Sequence, residues 1–421
     1  MNGWQTITKT WRLPRLIILR AGMIVQMAHA LLKVLTLNEG IHCEIPSFFF
    51  SILLPIMYSR HLFIKTNQSC NLQCKYCYEK EKNNSSFNED WAFLKIIKIL
   101  KQNTISGTKI KLIGGEPFLV YEKIRKFCER IWELQLTEKI HFQITTNGTL
   151  VHGEIQDWLR LHQSEVDCKL SLDGNRFSQE INRPNSFDKI DIRFFSETWE
   201  KCVVNMVVTP ETLPYFAENV IFLHENGFGN IVPLFAVFTD WTNNSMMEQY
   251  YEQLMILVKY YIAHPEVHRC LTLNHRLDRI LSKCDCILCD IGKKIIYDLN
   301  SERYYPCHLF FPSVCGNNHP KNMDSIDFSV RSNFEYKPCS DCVFINICHT
   351  CYAANYIERG DLGKRDMSIC AYRKIDFFAT AQLEYHRIVN SKEVTSADYL
   401  IMKAISEMQP EFEQLEKQYA K

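Results

Sequence analysis

Three cysteines within a single octapeptide set the chemistry of this chain. Cys70, Cys74 and Cys77 stand in CNLQCKYC, spaced by three and then two residues. A structural zinc site takes four ligands, commonly as two C-x2-C halves, and this spacing does not supply them. Three thiolates suit three corners of a [4Fe–4S] cube, which is ordinarily held by four cysteines. The fourth iron is then open to a small molecule that offers nitrogen and oxygen. A second set lies far along the chain. Cys339, Cys342, Cys348 and Cys351 spell CSDC-x5-CHTC, with Cys284, Cys286, Cys289, Cys307 and Cys315 before it and Cys370 after it. On its own that pattern suits a zinc ribbon as well as an iron–sulfur site.

The 421 residues include 18 cysteines. Disulfide frameworks belong to small secreted domains. In a chain this long, clustered cysteines point instead to metal centres in a compartment that keeps thiols reduced, the cytosol. Cys43, Cys128, Cys168, Cys202 and Cys270 sit in apolar runs and read as small buried hydrophobes. Cys315 fits either role. Lys plus Arg equals Asp plus Glu at 48 each, which removes any bulk electrostatic case for nucleic acid.

The elements that must position these residues alternate. Strand-like runs at 61–67, 109–115, 139–148, 166–174, 201–209 and 230–238 are separated by helical spacing at 90–102, 118–134, 154–163 and 211–227. That order predicts an α/β fold with a parallel sheet or barrel. The strands end in the cysteine loop, GGEP, TTNG and SLDG, the ends where parallel barrels carry their chemistry. The boundaries read as a non-catalytic extension over 1–56, a core over 57–240, a helical bridge over 241–283, a cysteine-rich region over 284–385 and a helical tail over 386–421. The extension has basic and apolar runs but no uncharged stretch long enough to span a bilayer. Met57 reads as the start of the core, so the extension is an appendage or sequence upstream of the true start, with an amphipathic helix lying on a membrane surface as the alternative. Nothing before Cys70 has the look of a leader-peptide-binding winged helix.

With these residues in this order, the chain resembles the radical SAM enzymes. Their signature is C-x3-C-x-aromatic-C, matched by Cys70, Cys74, Tyr76 and Cys77. The resemblance implies a partial (β/α)6 TIM-like barrel. It also implies an open iron that chelates the amino and carboxylate groups of S-adenosyl-L-methionine (SAM). One electron then cleaves the sulfonium, and the 5′-deoxyadenosyl radical removes a hydrogen atom from the substrate. Gly114, Gly115, Glu116 and Pro117 look like the family's methionine-binding loop, where glycines allow close backbone approach and Glu116 suits the ammonium. By resemblance to the sulfatase-maturase branch, Tyr76, Gly115, Ser171 and Arg183 fall where that branch contacts SAM. Arg183 has a guanidinium fit for a carboxylate, with a surface salt bridge as its plainer reading. Thr146 and Asn147 serve equally well as turn residues.

The distal cysteines resemble the SPASM extension of the same enzymes, which holds two auxiliary [4Fe–4S] clusters. That makes three clusters in all. The resemblance assigns Cys289, Cys307 and Cys351, with Cys284 ahead of Cys286, to the first auxiliary cluster. It assigns Cys339, Cys342, Cys348 and Cys370 to the second. Two positions depart from the pattern: Glu302 replaces a glycine, and the Cys348–Cys351 interval is one residue short. Formylglycine-generating relatives read YPCD after the Cys307-equivalent, the aspartate serving as general base. Here the stretch is YPCH, so His308 takes that place. Histidine can accept a proton near neutral pH.

The expected function is a radical SAM/SPASM peptide maturase that abstracts hydrogen from a ribosomally made peptide and completes the oxidation through its auxiliary clusters, as in a thioether or other cross-link. An anaerobic sulfatase-maturating enzyme is the nearest alternative, and a zinc-binding interaction module on a barrel is the alternative from another class. The expected partners are a precursor peptide and an electron donor such as flavodoxin or ferredoxin, with no nucleic acid.

Overall fold

The computed structural model describes residues 60–419 except 80, 102–106, 137–138, 283–284, 299–302, 317, 319 and 321. The expected extension over 1–56, Cys43, Cys284 and Glu302 therefore lie outside the described residues.

Six parallel strands pair in chain order: β1 (Arg60–Lys65), β2 (Gly107–Ile113), β3 (Lys139–Thr146), β4 (Val166–Ser171), β5 (Val203–Val208) and β6 (Asn230–Phe235). Alternation along the strands decides which face is covered. Leu62, Ile64, Ile110, Leu112, Phe142, Ile144, Val166, Cys168 and Leu170 are buried on one side. The other side carries His61, Lys65, Lys109, Lys111, His141, Gln143, Asp167 and Lys169. Wholly parallel sheets are usually apolar on both faces, so this second, polar face marks a wall that looks into a lumen.

Helices cover the apolar face. α1 (Glu89–Lys101) buries Ala92, Ile96 and Leu100 at four-residue spacing, one stripe of the helix. α2 (Tyr121–Trp132) buries Tyr121, Ile124, Phe127, Cys128 and Ile131. Phe127 is fully enclosed between Phe87 and Phe142, and truncating such a ring to alanine costs about 3–5 kcal/mol. α3 (Glu154–Leu161) follows β3. Two short helices, α4 (Arg176–Asn182) and α5 (Ile192–Thr198), follow β4, α6 (Phe216–Glu225) follows β5, and α7 (Asn244–Ala263) follows β6. Asn175 caps α4 by accepting from the Ser178 amide at 3.0 Å, satisfying one orphan donor of the first turn.

The cysteine-rich region joins the same sheet. β7 (Ile295–Asp298) pairs in parallel with β1, and β8 (Arg303–Tyr305) pairs antiparallel with β7. A second core of Ile296, Tyr305, Phe310, Phe311, Phe328 and Tyr352 forms there, and Phe63, Tyr78 and Ile113 of the barrel pack against it. The periodicity that fades after Cys284 thus conceals two strands, each too short to show a pattern.

After α8 (Tyr352–Arg359) come α9 (Cys370–Val389) and α10 (Ser396–Tyr419). These pack on the barrel's core. Tyr250 of α7 donates to the buried Asp376 of α9 at 2.6 Å, and α10 buries Ala404, Met408, Phe412, Leu415 and Tyr419. No helix among the described residues is long and apolar enough to cross a membrane.

Candidate active site

The loop after β1 carries Cys70, Cys74 and Cys77, all half-buried and unpaired. Their thiols lie within electrostatic reach of one another. Burial pushes Cys74 up to about 11, with the Arg183 guanidinium pulling the other way. Bound iron would hold these groups as thiolates. Among the described residues no three His, Cys, Asp or Glu are placed to ligate one ion. The fit to a cluster rests on the donor set itself: three neighbouring thiols at the carboxyl end of a barrel strand.

GGEP packs directly on this loop. The Gly115 amide donates to Asn67 O at 3.1 Å and the Glu116 amide to Ser69 O at 2.9 Å. A Cβ on Gly115 would stand 2.1 Å from Ser69 O, and one on Gly114 would stand 2.4 Å from Asn67 Oδ1. The close approach these glycines permit is therefore to the cysteine loop itself. Glu116 is fully buried and caps the turn that follows. Its carboxylate accepts from Thr146 Oγ1 at 2.8 Å, the Asn147 amide at 2.7 Å and the Phe118 amide at 3.1 Å. Burial pushes it up to about 7 against those three donors. Glu116 thus ties GGEP to TTNG. Asn147 Nδ2 in turn donates to Asn71 Oδ1 at 2.9 Å and stands 4.0 Å from Cys70 Sγ.

SLDG completes the rim. Tyr76 donates its hydroxyl to Asp173 Oδ2 at 2.8 Å. Arg183, at the end of α4, reaches the same carboxylate at 3.0 and 3.4 Å and lies 5.3 Å from the Tyr76 ring centroid. The Val207 amide donates to Asp173 Oδ1 at 2.9 Å. Arg183 is thus an interior ion pair joining β4, β5 and the cysteine loop. Ser171 pairs with Asn205 across β4 and β5, and Asn205 Oδ1 is buried with no hydrogen-bond partner among the described residues.

The distal cysteines fall into two groups. Cys351 acts electrostatically on Cys307, and Cys289 acts on both. Cys351 sits at the N-terminus of α8 and accepts from the Ala354 amide at 3.5 Å. Separately, Cys348 is acted on by Cys370 and Cys342, and Cys370 by Cys342 and Cys339. Arg365, which donates to Cys348 O at 3.0 Å, faces this second group. Cys284 lies outside the described residues, and Cys286 is disulfide-bonded. Cys128, Cys168, Cys202 and Cys270 are buried in apolar surroundings, and Cys315 is buried with its thiol against carbonyls of its own turn.

His308 opens the turn after Cys307, its Nδ1 3.9 Å from Cys307 Sγ. Burial, with Lys169, Lys294 and Lys65 nearby, pulls its imidazole down to about 4, so at pH 7 it is neutral, and a weaker proton acceptor than an ordinary histidine. Sequence reasoning passed over two residues here. Tyr78 packs on His308. The fully buried Lys65 pairs with Glu79 at 3.0 Å and donates to Ser313 Oγ at 2.5 Å, pinning the barrel to the cysteine-rich region. The lysine in HLFIK was visible at an inward strand position, but its partners are distant in sequence.

Comparison with known proteins adds the following. Residues 61–186 match the family model described as a 4Fe-4S single cluster domain. GTP 3′,8-cyclase of Clostridium perfringens is 33% identical over 150 residues, 35% of this chain and 44% of that protein. The radical SAM cyclopropyl synthase TigE of Paramaledivibacter caminithermalis is 24% identical over 180 residues, 38% of each. The chain spans less than half the length of these two relatives. The solved structure of native anSMEcpe with bound AdoMet and Kp18Cys peptide superposes with a TM-score of 0.60 at 17% identity, covering 78% of this chain and 98% of that one.

Proposed function

We propose that the chain is a radical SAM peptide maturase whose barrel holds SAM beside the Cys70–Cys74–Cys77 loop. The observation that carries this reading is the convergence of GGEP, TTNG and SLDG on that loop through direct hydrogen bonds, with Arg183 bonded to Asp173 and lying over the Tyr76 ring. When bound, a [4Fe–4S] cluster supplies the electron that cleaves SAM to a hydrogen-abstracting radical. The residues of the chain do the rest. Cys70, Cys74 and Cys77 hold three irons. The Tyr76–Asp173–Arg183 set fixes the rim against which SAM lies, and Gly114 and Gly115 keep the methionine-binding loop pressed on the cysteines. Cys289, Cys307 and Cys351 hold one auxiliary cluster and Cys339, Cys342, Cys348 and Cys370 the other. His308 receives a proton at its ring nitrogen as the product closes. The peptide reading is supported by likeness in fold to anSMEcpe, which has been seen with AdoMet and a peptide bound. The free cysteines of the cluster sites support a cytosolic setting, with a flavodoxin or ferredoxin as the electron donor.

A second reading is favoured by the identity to GTP 3′,8-cyclase over about a third of the chain: a nucleotide in place of the peptide.

Iron and acid-labile sulfide in the anaerobically reconstituted full chain test the cluster assignment. Three clusters give about twelve irons, and replacing Cys70, Cys74 and Cys77 with alanine removes one cluster's share. Four irons, or stoichiometric zinc, would sink the auxiliary assignments. Turnover of GTP, but of no peptide, would establish the second reading.

A further inference from the structure

The polar wall of the sheet carries charge that the proposed chemistry does not use. Lys65 on β1, Lys109 and Lys111 on β2, Lys169 on β4 and Lys294 just before β7 gather on that side of the sheet. Three of these five have a carboxylate. Lys65 pairs with Glu79, Lys109 with Asp167 at 2.8 Å, and Lys294 with Asp290. Asp167 has no capacity to spare, since His141 Nε2 and Gln143 Nε2 also bond it, each at 2.7 Å. Lys111 and Lys169 have no carboxylate within ion-pair distance among the described residues. Lys111 Nζ rests 5.0 Å from the Phe63 ring centroid, and Lys294 Nζ lies 5.3 Å from the same ring.

This arrangement costs stability as it stands. A half-buried ammonium loses part of its hydration, and the carboxylates that act on these two, Asp290 on Lys111 and Asp167 on Lys169, are already paired with Lys294 and Lys109. Burial and the neighbouring ammonium groups pull Lys111 down to about 7 and Lys169 to about 8. Two further polar atoms of the wall, His61 Nδ1 and Asn205 Oδ1, are buried without a partner among the described residues. Lys169 also lies close enough to His308 to act on it. The unmatched positive charge therefore extends toward the turn that carries Cys307.

We infer that the part of the substrate that enters the barrel bears an acidic side chain, an Asp or Glu carboxylate received between Lys111 and Lys169. The inference rests on the peptide reading above and adds its substrate class. The carboxylate gives Lys111 and Lys169 a directly paired counter-ion, which Asp290 and Asp167, held by other lysines, do not. A lysine is a flexible point charge, so it selects for charge more than for shape. The acid then lies near His308, and the residue to be modified is its neighbour along the peptide.

The test uses the cluster-loaded full chain with SAM, anaerobically. Short fluorescein-labelled peptides of alternating Gly and Glu, Gly and Gln, or Gly and Lys are titrated by anisotropy, with GTP as a competitor. The Glu peptide should bind about tenfold tighter than the Gln peptide, the worth of one charge-assisted contact. That preference should vanish in the Lys111→Gln, Lys169→Gln double variant and persist in the Lys111→Arg, Lys169→Arg variant, which controls for folding. Equal binding of Glu and Gln peptides overturns the inference, as does an unchanged preference in the Gln variant. GTP bound more tightly than the Glu peptide, and lost in the same variant, also overturns it and assigns the lysines to phosphate. Cleavage of SAM by the wild-type chain without peptide is read separately. If cleavage occurs and acid preference fails, the substrate class alone falls. If a fully cluster-loaded chain does not cleave SAM, the proposed function falls.

Discussion

Tyr78 and His308 lie with ring centroids 5.8 Å apart, planes tilted by 49°, so that the residue after Cys77 packs on the residue after Cys307. The contact joins the two cysteine-bearing loops. Burial raises the Tyr78 phenol, and Glu79, Cys77 and Cys307 add to the effect. The ring therefore remains neutral between them. Tyr78→Ala should lower the stability of the cluster-loaded chain by about 2 kcal/mol, a discounted value for a partly exposed ring. Tyr78→Phe, which keeps the packing, should not. Anaerobic thermal melts of both variants check this.

Asp173 and Arg183 form a second junction. The Asp173 side chain is inaccessible to solvent and that of Arg183 is 8% exposed. Removing one partner leaves a buried charge unpaired, so Arg183→Ala should cost about 3–5 kcal/mol. Asp173→Asn with Arg183→Gln removes both charges and should recover a large part of the loss. A double variant no more stable than Arg183→Ala would show that Arg183 contributes by packing on Tyr76 rather than by its charge.

Lys111 should set a pH dependence of stability. Its folded value of about 7 lies below the ordinary 10.5, so between those values the unfolded chain binds more protons. Lys111 therefore makes stability rise with pH across that window. Lys111→Met removes this contribution and leaves that of Lys169, whose folded value of about 8 acts in the same direction. The variant should be more stable than wild type, most so at and below about pH 7, with the advantage fading toward pH 10. Lys294, Lys169, Lys109 and Asp290 surround the ammonium and are unchanged in the variant. Parallel denaturation curves across that range would expose an error in sign at once.

His308→Ala should slow product formation by ~10²-fold more than it slows SAM cleavage, the worth of a positioned proton acceptor. His308→Asp should restore part of the rate. Wild-type turnover of an accepted peptide by the alanine variant would remove His308 from the chemistry.

The sequence displayed the frame of this molecule more readily than its contacts. Strands β1 to β6 were legible because apolar residues alternate with polar ones in runs such as KIKLI and VDCKL. The short helices α4 and α5 were not, since seven residues give barely two turns of periodicity. IIYD and RYY are shorter still. Gly115 illustrates another limit. Its need for a bare Cα was evident, but the neighbour that demands it, Ser69, is fixed only by the fold. Lys111 and Lys169 stood in plain view as inward positions on strands of a parallel sheet, where a charge is out of place. The alternation that located the strands also flagged those lysines, once the helix-covered face was known. Sequence cannot show which lysines find a carboxylate, because Asp167, Glu79 and Asp290 come from different strands and loops.

The pairing of Leu62 with Ile295 has a consequence for the order in which the chain assembles. The strand that carries the first cysteine loop borders β2 on one side, and its other edge awaits residues that lie beyond the whole barrel in sequence. Loop closure of that length is slow relative to local helix and strand pairing. During synthesis, which proceeds from the N-terminus, β1 keeps an open edge until β7 emerges and docks. Amides of β1 that donate toward β7 should gain protection late in pulse-labelled refolding, after those of β3 and β4. The free edge invites pairing with other chains in the interval. Because β7 docks late, the nascent chain displays Cys70, Cys74 and Cys77 to whatever loads them while the edge of β1 beside them is still open.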